Sequence, residues 1–592
     1  MDQFTKSLDV WVAAVSPKKS GGRGRAKSGA YSQHGVKQLR ALILELAVRG
    51  KLVPQDEGDE PAAVLLERIA AEKAHLVKEK KIKRQKTLPE IEEDEKPFDL
   101  PCGWEWARFP DIANYKPGKT PSTKNPVYWA DDNSGIPWVS IADMKHFSHI
   151  HSTSKKITAE SINKVFKYEP IPAGSILMSF KLTVGKITIS DVDCYHNEAI
   201  ISIQPFGRID KYYLFNILPM CALSGKTKNA IMGNTLNATS LALLMIPLPP
   251  LAEQHRIVKK VDELMALCDQ LEQQQSTHHE THKTLIDTLL ATLTAPSDHK
   301  QFQQDWQRIA AHFDHLFITE YSVEQLKQTI LQLAVMGKLV RQDSNDEPAS
   351  VLLEKIAEEK ARLIKEKKIK KQKALPEIEE DELNFNLPNI SRWERLGNIV
   401  EFINGDRGKN YPNKSEYVES GVAFINTGHI NPDGSLSKIR MNYISEEKYN
   451  SLRSGKIKLG DLVYCLRGAT FGKTAFVDGF EKGIIASSLV IIRPSKYINK
   501  RYLYLFLTSP FGQSLIKRFD NGSAQPNLSA TNVKLFVTPL PPLAEQHRIV
   551  TKVDELMTLC EQLKSKINHA QTTQIQLADT LLENGLKHKI NR

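Results

Sequence analysis

Apolar residues recur at helical spacing from Val36, with Leu39, Leu42, Ile43, Leu46 and Ala47 on one stripe before Gly50 interrupts it. A second helix is expected from Pro61, a favoured first helical position, to about Gln85. Equivalent helices begin at Val323 and Pro348, so each pair reads as a helical hairpin. The pattern then changes. GSILMSF, GKITISD and AIISIQP, and later GDLVYCL, GKTAFVD and SSLVIIRP, are short, β-branched and punctuated by glycine. They predict strands and tight turns. An apolar-aromatic helical segment follows each set, at Tyr212–Leu223 and Tyr502–Thr508.

Two long periodic helices come next, each after a Pro-Pro dipeptide that fixes an extended lead-in and a LAEQ start that puts an acid in the first turn. The first seam runs Ile257, Val261, Leu264, Cys268, Leu271, Gln275, His278, His282, Leu285, Leu289. The second runs Ile549, Val553, Leu556, Cys560, Leu563, Ile567, Ala570, Gln574, Leu577, Leu581. A period of 3.5 predicts a coiled coil, and about 40 residues at 1.5 Å each give a rod of about 60 Å. The rods are expected to pair antiparallel with a domain at the start of each; the polar centre of the first seam weakens that pairing or fixes its register.

The chain repeats itself. PLPPLAEQHRIVKKVDELMALCDQL from Pro247 and PLPPLAEQHRIVTKVDELMTLCEQL from Pro539 match at 22 of 25 positions. Val36–Glu95 and Val323–Glu382 match at 44 of 60. The stretches between, 96–246 and 383–538, agree far less, which suggests one scaffold holding two readers of different specificity. The expected organisation is a flexible basic tail (1–35), hairpin 1 (36–95), variable domain 1 (96–246), long helix 1 (247–295), a linker (296–322), hairpin 2 (323–382), variable domain 2 (383–538) and long helix 2 (539–592). The fold class expected is α+β: two α/β domains joined by two long antiparallel coiled-coil helices, a pseudo-twofold internal repeat with duplicated N-terminal hairpins.

A net charge of +11 leans toward a polyanionic partner without deciding the fold. The basic runs Lys78–Lys86 and Lys365–Lys373 read first as solvated helix faces, and the LPEIEEDE after each could neutralise them locally. Six scattered cysteines with no CxxC pair give neither a disulfide framework nor a zinc site; Cys268 and Cys560 read as core residues in a reducing cytoplasm. No apolar run is long enough to span a bilayer.

The sequence carries no catalytic motif of the classes its composition would allow. No Asn/Asp-Pro-Pro-aromatic loop of an amino methyltransferase and no GxxxxGK[ST] phosphate loop occurs; GATFGKT at Gly468–Thr474 is one residue short. In HHETH, His278 and His282 lie one turn apart but fall on the seam, so packing outranks metal binding. No catalytic residue is assigned, and the chain reads as a recognition component rather than an enzyme.

The duplicated PLPPLAEQxRIV, with GKTPSTKNPVYW and IPWVS (Gly118–Ser140), AGSILMSFKLTVGKITI (Ala173–Ile189), LGDLVYCLRGATFGKTAFV (Leu459–Val477) and GSAQPNLSATNVK (Gly522–Lys534), resembles the specificity subunit of type I DNA restriction-modification systems. The duplicated hairpin and the length look more like its IB branch. The resemblance covers nearly the whole chain. It implies that each variable domain reads one half of a split, asymmetric sequence in double-stranded DNA, with the helices as a ruler. It implies two docked methyltransferase subunits that modify adenine and two motor/nuclease subunits that restrict. S-adenosylmethionine, ATP and Mg would then belong to those partners, with none bound by this chain. The alternative is a free-standing bipartite nucleic-acid-binding regulator or scaffold.

Base reading needs forked or amide donors on exposed turns, and phosphate clamping needs cations or small hydroxyls. The candidates are Lys119, Thr120, Lys181, Lys186, Lys226, Lys228 and Asn234 in the first domain, and Arg407, Lys409, Arg467, Lys473, Gln525 and Asn527 in the second. The first insert has Phe180-Lys181-Leu182 where the second has the family's Arg467-Gly468, which leaves the equivalence of Lys181 and Arg467 open. Glu253, Gln254 and Arg256 recur as Glu545, Gln546 and Arg548. Identical residues suit two identical docked subunits, or helix capping, better than differing DNA halves.

Overall fold

The computed structural model describes residues 8–17, 31–82, 84, 88–130, 134–224, 228–230, 233–295, 299–467, 471–519 and 528–587. The chain forms two compact units. The first comprises Ala30–Thr277 and Gln571–Arg592 with the N-terminal residues, the second His278–Ala570.

In the first unit, α1 (Leu8–Ala13) precedes the hairpin helices α2 (His34–Val48) and α3 (Ala62–Lys78). The N-terminal tail expected over 1–35 is therefore corrected in part. Trp11 is 1% exposed and belongs to the same core as Val36 and Leu39, because an indole can bury more apolar surface here than the short helix costs to order. Gly35 permits the contact: its N–H donates to Ala14 at 2.8 Å, and a Cβ would lie 2.0 Å from the Trp11 carbonyl oxygen. The basic segment Lys18–Lys27 lies outside the described residues.

Helix α3 ends at Lys78, not near Gln85. Lys80 turns left-handed (φ 57°), and the N–H groups of Lys80 and Lys81 bond back to Val77 and Leu76 at 3.1 and 3.0 Å, closing the helix. The basic run is thus mostly not a helix face. Of the acids after it, Glu95 turns to Arg108 at 2.6 Å, and in the second unit Glu382 turns to Arg395 at 2.6 Å.

Strand β1 (Glu105–Arg108) opens the first insert. A five-stranded sheet follows, built from β2 (Ala113–Pro117), β3 (Ser148–Ile150), β4 (Ser175–Ser179), β5 (Ile187–Ser190) and β6 (Ile200–Pro205) in the order β2-β6-β4-β5-β3. Only β5–β3 is parallel. The insert closes with β7 (Met245–Leu248), antiparallel to β1. Both ends of the variable domain are thereby stitched together at the frame, and α4 (Leu251–Thr294) starts three residues later.

The second unit repeats the plan. After α5 (His299–Ala311) come α6 (Glu320–Val335) and α7 (Ala349–Lys365). β8 (Arg392–Arg395) then leads to an antiparallel sheet of β9 (Val400–Asn404), β10 (Leu462–Cys465), β11 (Thr474–Phe476) and β12 (Leu489–Pro494) in the order β9-β12-β10-β11. β13 (Val537–Leu540) pairs with β8, and α8 (Leu543–Lys587) follows.

Each long helix contributes to both units. In the first, Ala578, Leu581 and Leu582 of α8 share a core with Leu264, Cys268 and Leu271 of α4. In the second, Ile286, Leu290 and Leu293 of α4 share one with Ile549, Val553, Cys560 and Ile567 of α8. The heptad seams need correction at their far ends. Leu285 and Leu577 are 46% and 49% exposed, and His278 and Ala570 face solvent; Ile286 and Ala578 are buried instead. Ile257 to Ile286 and Ile549 to Ala578 are both 29 positions. Eight turns at 3.5 would reach position 28, whereas about 3.6 residues per turn reaches 29. The buried stripe keeps the 3.6-residue helical period rather than 3.5. Among the described residues no helix is long and apolar enough to cross a membrane.

Candidate nucleic-acid interface

In the first insert the loops after β2 and β4 and the turn before β6 meet at one end of the sheet. Gly118 and Lys119 donate their N–H groups to the Ile200 and His196 carbonyls at 3.2 and 2.9 Å. Phe180 N–H donates to Ala199 at 3.0 Å, and the Phe180 carbonyl accepts from Leu236 at 2.8 Å. In the second insert Leu466 N–H donates to Ser488 at 2.9 Å, and its carbonyl accepts from Leu528 at 3.0 Å. Asn197 donates to Val139 (3.0 Å) as Ala486 donates to Ile425 (2.7 Å). The loop scaffolds are the same although the residues differ.

This registry answers the open comparison: Lys181 follows Phe180 as Arg467 follows Leu466, so the two cations occupy one backbone position. Lys186 and Lys473 form a second pair, since their carbonyls accept from Ser179 and Cys465 at 2.8 Å each. Lys119, Thr120, Lys181 and Lys186 therefore gather at one sheet end, as do Arg407, Lys409, Arg467 and Lys473.

Their side chains are not equally free. Lys119 Nζ donates to the Val165 carbonyl at 2.8 Å and stands over the Tyr168 ring, and Lys186 Nζ donates to Ile141 at 3.0 Å. Thr120 gives its hydroxyl to Glu198. Lys181 is half-buried over Phe180. Arg407, Lys409, Arg467 and Lys473 are exposed, with one Arg407 nitrogen 3.4 Å from the Ser487 carbonyl. Lys228 and Asn234 sit on a short hairpin of Lys228–Ala230 and Gly233–Thr235, immediately before Leu236. Lys226, Gln525 and Asn527 lie outside the described residues.

The repeated residues of the long helices occupy a different setting. Glu253, Gln254, Glu545 and Gln546 are at most 1% exposed. Gln254 accepts from Asp210 N–H at 3.0 Å and donates to the Pro249 carbonyl at 2.9 Å; Gln546 repeats this with Asn499 and Pro541 at 2.9 Å each. Arg256 grips Asp59 through two nitrogens (2.6 and 3.2 Å), and Arg548 grips Asp346 identically. The partner-docking role expected for Glu253, Gln254, Glu545 and Gln546 is corrected. The four buried side chains present nothing to a partner, and the two arginines tie hairpin to helix. Burial pushes the Glu253 and Glu545 carboxyls up.

Sequence reasoning missed Glu198, because an isolated acid in a turn carries no pattern. It also missed Arg108 and Arg395, which recur in EWAR and WER and whose fixed spacing from the acidic EIEEDE was a usable signal. Both fasten the insert's first strand by donating to the carbonyls of Leu243 (3.0 Å) and Leu535 (2.8 Å). Among the described residues no group of three or more His, Cys, Asp or Glu could hold a metal ion. His278 is exposed while His282 is half-buried, so they do not share one environment.

A sequence profile described as Type I restriction modification DNA specificity domain matches residues 101–278 and 390–570. The specificity subunit of the type I restriction enzyme EcoAI of Escherichia coli is 38% identical over 612 residues, covering 97% of this chain and 98% of that protein. The EcoEI specificity subunit, also from Escherichia coli, is 37% identical over 621 residues, covering 98% and 99%. The crystal structure of the HsdS subunit from Thermoanaerobacter tengcongensis aligns with 83% of this chain and 99% of its own at 17% identity and a TM-score of 0.38.

Proposed function

This chain belongs to the type I restriction-modification DNA specificity family, and from that premise we propose that each of its two variable domains reads one half of a bipartite DNA target. It is the recognition subunit and not a catalyst. The observation that carries the two-reader proposal is the shared loop scaffold: equivalent backbone positions hold Lys181 or Arg467 by their flanking bonds, and Thr120 or Arg407 by the strand register of Ala113 against Pro205 and Val400 against Pro494, on an otherwise duplicated frame. Loops anchored by matching backbone bonds but carrying different side chains suit two different half-sites.

Its partners are DNA and the methyltransferase and restriction subunits of a type I system. Two copies of each are proposed, matching the duplicated frame, with S-adenosylmethionine, ATP and magnesium held by them. The two long helices are proposed to set the gap between half-sites as an antiparallel, pseudo-twofold pair. The domain boundaries and the DNA-contacting residues remain part of this proposal, with Lys181, Arg407, Lys409, Arg467 and Lys473 its leading members. Assignment to the IB branch rests on the duplicated hairpin and the length.

The test is adenine-methylation mapping by long-read sequencing in cells expressing the chain with its neighbouring methyltransferase subunit, against cells lacking the chain. A single split, asymmetric motif of fixed gap that depends on the chain is expected. Absence of chain-dependent methylation, with both proteins present and associated, would overturn the reading.

A further inference from the structure

We infer that Glu198 is a base-reading residue of the first variable domain, accepting a hydrogen bond from the exocyclic amino group of a cytosine or adenine in the first half-site. This deepens the DNA-specificity reading and rests on it.

Glu198 sits at the centre of the turn that precedes β6. Asn197 Oδ1 accepts from the Ala199 N–H at 3.0 Å, Asn197 N–H donates to Val139 at 3.0 Å, and the Ala199 carbonyl accepts from Phe180 at 3.0 Å. The backbone is therefore pinned on both sides of the residue, while the side chain stands in solvent. Thr120 Oγ1 donates to Glu198 Oε2 and sets its direction; among the described residues nothing donates to Oε1. Among the described residues no Lys or Arg forms an ion pair with it: Lys119 and Lys186 Nζ donate to the Val165 and Ile141 carbonyls at 2.8 and 3.0 Å.

A carboxylate carried into the field of a polyanion is repelled unless it meets a donor. The donors that a duplex displays in its major groove are the amino groups of cytosine N4 and adenine N6, and a glutamate accepts from such a group. Glu198 shares its loop end with Lys181, so a cation able to hold the backbone phosphates or a guanine edge stands beside an acceptor for an amino-bearing base. The equivalent residue of the second domain, fixed by the Ala486 and Ser488 bonds, is Ser487. One slot thus holds an acid in one reader and a hydroxyl in the other, as different half-sites require. Thr120 becomes a positioning residue.

The experiment uses the chain assembled with its methyltransferase subunit, once the wild-type motif has been mapped. Duplex probes carry the first half-site with each cytosine or adenine replaced singly by its analogue lacking the amino group, 2-pyrimidinone or purine. The wild-type complex should lose affinity about 10- to 100-fold for one such probe. E198A should be indifferent to that substitution and leave second-half-site discrimination unchanged, with E198Q partly retaining it. Thr120→Val should reduce the same discrimination less. Undiminished sensitivity of E198A to every analogue probe, or an unchanged methylation motif in cells, would overturn the role of Glu198 and leave the specificity-subunit reading standing. A wild-type complex that methylates no split motif would overturn both.

Discussion

The indole Nε1 of Trp104 donates to the buried Glu253 carboxylate at 2.9 Å. Gln55 Nε2 donates to the other carboxylate oxygen at 3.0 Å, so this acid is matched on both sides. The second copy of the frame has Ser391 where the first has Trp104. There Gln342 reaches one oxygen of Glu545 at 3.1 Å, and Glu545 Oε1 is buried with no partner. Burial pushes the Glu545 carboxyl up, with Gln342 and Arg548 pulling it back. A carboxyl raised in the fold holds its proton more tightly folded than unfolded. Its ionisation therefore subtracts stability as pH climbs past the ordinary value of 4.5. Glu545→Gln should stabilise the second unit at pH 7 by about 1–2 kcal/mol and raise its melting temperature, because it removes a buried charge, and the gain should fade toward pH 4.5. Glu253→Gln should gain less or lose stability, because it disturbs a matched pair. Equal shifts for the two variants, measured by calorimetry across that pH range, would contradict the assignment.

Arg256 and Asp59 should behave as a coupled pair, and Arg548 and Asp346 as an independent second one. Each carboxylate is mostly buried and engaged by two guanidinium nitrogens. Arg256→Ala should cost about 1–3 kcal/mol, since it leaves Asp59 short of donors. A double-mutant cycle with Asp59→Ala should recover much of that cost, whereas combining Arg256→Ala with Arg548→Ala should be additive. Strict additivity within either pair in urea denaturation would show that the hairpins are held to the long helices by apolar packing alone.

The duplicated frame was the part of the fold most open to sequence reasoning, because two copies of one pattern suppress chance. Helix positions and the three strands expected in each insert follow from periodicity, whereas Ala113–Pro117, Ser148–Ile150 and Val400–Asn404 carry too little apolar alternation to be read as strands. Helix α3 was read too long because the charges after Lys78 are compatible with a helix face. Only the left-handed turn at Lys80, which has no strong residue signature, ends it. The seams slipped by one residue at Leu285 and Leu577 because 3.5 and 3.6 diverge only after many turns. Most instructive is Glu253: identity in both copies suggested a shared partner, and the shared object is the frame's own interior. Side-chain commitments such as Lys119 to Val165 depend on chain neighbours far apart in sequence and leave no local trace.

His196 should make the first reading loop sensitive to acid. It is 3% exposed, and burial pushes its imidazole down to about 4, against 6.5 for a free one. The unfolded chain binds this proton below pH 6.5 and the folded chain does not, so stability falls as pH drops through the window from 6.5 to about 4. The loss should be on the order of 2 kcal/mol at pH 5. Because the His196 carbonyl holds the Lys119 N–H at 2.9 Å, hydrogen exchange at Lys119 should accelerate in step. His196→Gln should flatten the pH dependence. Persistence of the full pH slope in that variant would place its origin elsewhere.

Lys181 and Arg467 should be separable readers. They follow equivalent residues, Phe180 and Leu466, whose N–H groups and carbonyls are fixed by matching bonds, so each cation projects from a preset position. Replacement of either by alanine removes no internal hydrogen bond of its loop backbone and should leave the unfolding stability within about 0.5 kcal/mol of wild type. Binding should respond locally. Arg467→Ala should weaken recognition of the second half-site by about 1–3 kcal/mol if the guanidinium forks onto a guanine edge, relaxing one base position in the methylation motif. Lys181→Ala should act only on the first half-site. If it holds a phosphate, affinity should fall for all sequences with a shallower salt dependence and no relaxed base. Titrations of duplexes with one half-site scrambled, at two salt concentrations, distinguish these outcomes. A loss that follows neither half-site, or strikes both equally, would sink the equivalence of the two loop positions as readers.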